Sequence, residues 1–158
     1  MANEFKVAEQ GHVVPFLYPI SMNGIATEPE YVNMKNYSHI DIIIALGTTN
    51  GAAVTFTVKY SATASGGTAM PFAYYKGITA STDTLAARAA ATTAGFAASN
   101  DSVTNSFYVI SIDAAEIPDG YNFIGLVASG AATTTPGCAV GIMSGSRYAE
   151  PQSATVLS

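Results

Sequence analysis

Charge is the scarcest property of this chain. Charged residues are 11% of its 158 residues, against about 25% in an average domain. The six basic ones, Lys6, Lys35, Lys59, Lys76, Arg88 and Arg147, are scattered along the chain. Neutralising a phosphate backbone takes a concentrated positive patch. The net charge of −5 and the pI near 4.7 therefore argue against direct nucleic-acid binding. Long apolar runs are missing too. The longest, residues 42–46, is the size of a strand, far short of the about 20 residues that cross a bilayer. No membrane partner is expected.

Cysteine is nearly absent. Cys138 stands alone, so no intrachain disulfide is possible and packing must hold the fold. Residues 1–6 lack the basic start and apolar core of a secretion signal, which sets the expectation of folding in a reducing cytoplasm. The two histidines, His12 and His39, fall in different elements, neither beside a cysteine nor spaced as ligands. A zinc site takes about four nitrogen or sulfur ligands, three when catalytic. No metal and no cofactor is expected. No G-x-S-x-G elbow occurs, and Gly66-Gly67 fits no phosphate-binding loop. Asp113 and Glu116 are a pair of carboxylates of the kind used on glycosides, but they read more simply as capping acids beside the Pro118-Asp119-Gly120 turn. No catalytic residue is assigned.

What the chain has in excess is apolar and small residues. Hydrophobic residues are 49% and mean hydropathy is +0.27. An alanine-rich sandwich accounts for this. So does a surface covered by copies of the chain or by a partner. A single domain of this length hides roughly 70% of its unfolded surface, enough for a proper core.

The pattern of that apolar material has period two. In residues 37–60, Ile40, Ile42, Ile44 and Leu46 share one face, while His39 and Asp41, joined by Ile43 and Ala45, share the other. Val54, Phe56, Val58 and Tyr60 then alternate with Thr55, Thr57 and Lys59. Asn50-Gly51 between them suits a tight connection, and the expectation is a β-hairpin. Further strands are expected near residues 31–34, 71–76, 106–113, 121–129 and 138–144. Residues 81–99 read as a long loop with at most a short helix, because Leu85 is the only large apolar residue of the alanine-rich stretch 84–91. The fold class is all-β: a single-domain antiparallel sandwich, jelly-roll-like, over residues 31–158. Residues 1–30, rich in Pro and Gly, read as an extended N-terminal arm or edge strand. Its apolar residues Val13, Val14, Phe16, Leu17 and Tyr18 are candidate contact residues, and removing residues 1–20 is expected to leave the sandwich folded. Tyr74 and Tyr75 are adjacent in a strand pattern, so one of them should point outward as a contact residue.

Five segments stand in an order that resembles a known family. They are V-N-M-K-N-Y-S-H at 32–39, A-V-T-F-T-V at 53–58 and T-A-G-F at 93–96, then Y-V-I-S-I-D-A-A-E-I-P-D-G-Y at 108–121 and I-M-S-G-S-R-Y at 142–148. This order is similar to the capsid decoration (cement, or head auxiliary) proteins of tailed bacteriophages, over about residues 31–158. The resemblance implies a β-sandwich made in the host cytoplasm that ends on the outer capsid surface of the virion. Its partners would be the major capsid protein and itself, as a homotrimer or homodimer. It implies no catalysis. Arg147 and Tyr148 join the candidate contacts. The alternative is a tail or fibre component, or a receptor-binding module that recognises glycans through its tyrosines.

Overall fold

The computed structural model describes residues 6–22, 30–47, 53–78, 84–98, 105–130 and 135–146. Eleven strands are found there: β1 (His12–Ser21), β2 (Tyr31–Asn33), β3 (Tyr37–Leu46), β4 (Val54–Ser61), β5 (Thr68–Met70), β6 (Phe72–Ile78), β7 (Ala89–Ala91), β8 (Phe96–Ala98), β9 (Ser106–Asp113), β10 (Phe123–Ser129) and β11 (Pro136–Ser146). A one-turn helix, Val7–Gln10, precedes β1, and a 3-10 turn, Ala114–Glu116, follows β9.

The strands form two antiparallel sheets packed as a sandwich. The larger has the order β1-β11-β3-β9-β6-β7; the smaller has the order β2-β10-β4-β5, with β8 also on β4. The pairing is nested. β1 lies on β11, β2 on β10, β3 on β9 and β4 on β8. Alternation decides what faces inward. Ile40, Ile42, Ile44 and Leu46 of β3 and Tyr108, Ile110 and Ile112 of β9 meet Val54, Phe56 and Val58 of β4 and Ile124, Leu126 and Ala128 of β10 in one buried cluster.

The expected hairpin is corrected. β3 and β4 are both strands with the expected inward faces, but they belong to different sheets. Each edge of β3 is taken, by β11 and by β9, and β4 lies between β10 on one side and β5 and β8 on the other. Packing the two apolar rows against each other across the sandwich buries both. A hairpin would have set them side by side on one face. The Asn50-Gly51 connection lies outside the described residues.

The arm is a strand of the main sheet. β1 pairs with β11 from His12↔Met143 to Ser21↔Pro136, with irregularities on either side of Leu17. Val14 and Phe16 are 2% and 1% exposed and belong to the core, and Leu17 packs against it. The Phe16 ring lies where a side chain at Gly141 would stand, so this glycine makes its place. The part of residues 81–99 that is described is also more ordered than expected. β7 and β8 flank a turn at Thr92–Gly95, and Phe96 enters the core. Its ring stacks on Tyr74 at 4.1 Å and lies 5.1 Å from Tyr108 and 5.7 Å from Phe56. Phe96 thereby closes the sandwich between β6 and β4. Gly95 has φ of +79°, which only glycine adopts without strain.

Candidate functional site

The outer faces of the two sheets differ in chemistry. On the smaller sheet, β4 turns Thr55, Thr57 and Lys59 outward, and β10 sets Ser129, Val127 and Gly125 opposite them, with Phe123 half-buried at the end of the same row. That face mixes polar and apolar side chains. On the larger sheet the two are segregated along the strands. Its central row, read across the strands, is Pro15, Val140, Ile43, Val109 and Tyr75. The row toward one end holds Cys138, Ala45, Phe107 and Gly77. The row toward the other end opens with Val13 and Ile142 before it turns polar at Asp41 and Ser111. Val13 and Ile43 are 52% and 37% exposed. The first two rows contain no charged residue.

Phe107 is held flat by its neighbour. A side chain at Gly77 would fall inside the Phe107 ring, so the ring lies over the glycine backbone. Beyond Phe107, an open groove of about 730 Å³ runs along this end of the sheet, lined among others by Ile20, Leu46, Phe107 and Cys138. Apart from Asn105 and serines, its walls are apolar.

The opposite end carries the one polar cluster of the face. His39 and Asp41 project from β3, and Ser111 and Asp113 from β9. His39 Nδ1 lies 2.7 Å from Asp113 Oδ1, and Nε2 lies 3.1 Å from Asp41 Oδ1 and 3.2 Å from Ser111 Oγ. Partial burial alone would lower the His39 pKa. The hydrogen bonds to Asp113 and Asp41, with the charge of those carboxylates, outweigh it and leave the pKa above the ordinary 6.5. The protonated ring then donates Nδ1–H to Asp113 and Nε2–H to Asp41.

Asp113, His39 and Ser111 have the connectivity of a nucleophile triad, with Asp41 as a fourth group at Nε2. A triad needs a neutral Nε2 to take the serine proton. When the ring is doubly protonated its Nε2–H is shared between Asp41 and Ser111, and in that form it cannot take the serine proton. The cluster is a clamp joining β3 to β9. Glu116 is likewise engaged, accepting the Asp113 backbone N–H at 3.2 Å. Sequence spacing misses the clamp because 74 residues separate His39 from Asp113.

The candidate contact residues divide. Val13 and Tyr75 lie on the apolar face. Tyr18 is 69% exposed at the far end of β1. Val14 and Phe16 are withdrawn as contacts because they fill the core, and Leu17 is half-buried against it. Tyr74 turns inward onto Phe96, so the adjacent tyrosines do face opposite ways. Arg147 and Tyr148 lie outside the described residues. Sequence reasoning missed Ile142, Val140, Val109 and Phe107. The signal for the face was nevertheless present in Ile43 and Ala45, apolar residues on what should have been the polar side of β3. Among the described residues no group of histidine, cysteine and carboxylate side chains is placed to hold a metal ion, and no helix is long and apolar enough to cross a membrane. No family model, no curated protein and no solved structure matches the chain.

Proposed function

We propose that this protein is a structural component of a bacteriophage virion, a capsid decoration protein that works as a symmetric homo-oligomer on the outer surface of the head. The observation that carries this reading is the pair of contiguous uncharged, mostly apolar rows on the outer face of the larger sheet. A contiguous apolar surface rimmed by polar residues is the chemistry of protein contact. The nested strand pairing supports a jelly-roll-like fold, in which the first strand lies beside the last. The ordered segments that resemble decoration proteins supply the virion context. The protein is not an enzyme in this reading, and the His39 cluster serves to join β3 to β9.

The mechanism is differential affinity. An oligomer that bridges neighbouring capsid subunits in the expanded lattice, and fits the precursor lattice less well, stabilises the expanded head by that difference. Repeated sites on a symmetric shell turn modest contacts into a large total. Co-sedimentation with expanded shells lacking the protein tests this. Saturation at a fixed ratio to the major capsid protein, with weaker binding to precursor shells, is expected. Absence of binding to expanded shells overturns it in favour of a tail or glycan-binding role. Of the adjacent tyrosines that alternative would use, Tyr74 stacks inside the sandwich and Tyr75 faces outward.

A further inference from the structure

We infer that the outer face of the larger sheet is a self-association surface, on which a second copy of this chain packs face to face about a two-fold axis. The inference deepens the oligomer half of the reading above by naming its surface. Three observations carry it.

The first is that the edges are closed to association. β1, the long edge of the larger sheet, carries Pro15 and Pro19, which have no N–H to offer another strand. The other outer strands, β7, β2, β5 and β8, are three residues long. A partner therefore meets a face, not an edge.

The second is area. Five strands about 4.8 Å apart, over about eight residues at about 3.4 Å each, make a face of roughly 650 Å². Two such faces, with the rows of Asp41 and His39 counted as polar rim, cover about 1,300 Å², inside the range of about 1,200–2,000 Å² for stable specific interfaces.

The third is charge. Each chain carries −5, and copies repel unless their contact is uncharged. The rows through Ile43 and Ala45 are uncharged, and the two carboxylates of the face, Asp41 and Asp113, stand together at one end with His39 between them. Obligate homodimer interfaces are also more apolar than those formed by partners that live apart. A face of this composition suits a copy present from synthesis better than a shell met later.

Sedimentation equilibrium of the full chain tests the inference without any capsid. The wild type is expected to be a dimer. Ile43→Lys places a charge at the centre of the face and is expected to give a monomer with an unchanged far-ultraviolet spectrum. Thr57→Lys, on the other sheet, is expected to remain dimeric. Should Ile43→Lys fail to fold, Cys138 provides a second readout in the wild type, because it lies on the same face. Its alkylation by a small maleimide is expected to be several-fold slower in the dimer than after dilution to monomer. A monomeric or trimeric wild type, a dimer that survives Ile43→Lys, or equal alkylation of dimer and monomer overturns the inference. A monomer that still saturates expanded shells leaves the decoration reading standing, and a dimer that ignores them removes that reading alone.

Discussion

His39 shows how a neighbour changes what a side chain does. Alone on a strand it would be a solvated imidazole near its ordinary pKa. Between Asp41 and Asp113 it holds its proton more tightly and joins two strands, with Ser144 of β11 as its uncharged neighbour on the other side. The consequence for stability has a definite sign. A pKa raised in the folded state contributes stability that is complete below the unfolded value of 6.5 and is lost as pH rises through the folded value. Thermal unfolding of the wild type should therefore lose part of its midpoint as pH climbs from below 6.5 toward 9. His39→Gln should flatten that part of the profile. Proton NMR of the imidazole provides the direct check: a His39 midpoint below 6.5 contradicts the clamp.

β1 makes the same point for a whole strand. Its prolines make it look like a detachable arm, and in composition it does not differ from a tail that visits a neighbour. In the fold Val14 and Phe16 supply buried core, and the strand covers an edge of β11. Phe16→Ala should lower unfolding free energy by about 3–5 kcal/mol, since it empties a packed site above Gly141. Domains of this kind hold about 5–15 kcal/mol in total, so deletion of residues 1–21 should leave a chain that fails to fold cooperatively in urea. A truncated chain with the wild-type midpoint would restore the arm.

Most strands were legible in the sequence, and for one reason. Alternation records which side of a strand is buried, as in β9, where Tyr108, Ile110 and Ile112 point inward as their spacing indicates. Alternation says nothing about the neighbouring strand, so the partners of β3 and β4 were not legible. They are set by competition for edges among segments far apart in the chain. β7 and β8 were hidden because three-residue strands, Ala-Ala-Ala and Phe-Ala-Ala, carry too little pattern. Phe96 draws its importance from Tyr74, Tyr108 and Phe56, none of them near it in sequence.

The molecule as assembled explains the composition from which the sequence reading began. A chain with 11% charged residues has too few to cover both sheets. They are absent from the two central rows of the larger sheet's outer face, where the uncharged residues are contiguous, while the smaller sheet alternates Thr55, Thr57 and Lys59 with Val127 and Phe123 across the strands. Half of that surface was legible, in Val13, Tyr75, Ile43 and Ala45. The other half, contributed by β9 and β11, required the register.

The central claim is that this face is covered where the protein works. A cryo-electron microscopy reconstruction of the expanded head carrying the protein examines it directly. The account predicts sandwich density on the outer shell in two-fold pairs, with the β3 and β9 face of each copy turned onto its neighbour. Density absent from the head, or copies standing singly with that face open to solvent, would contradict it.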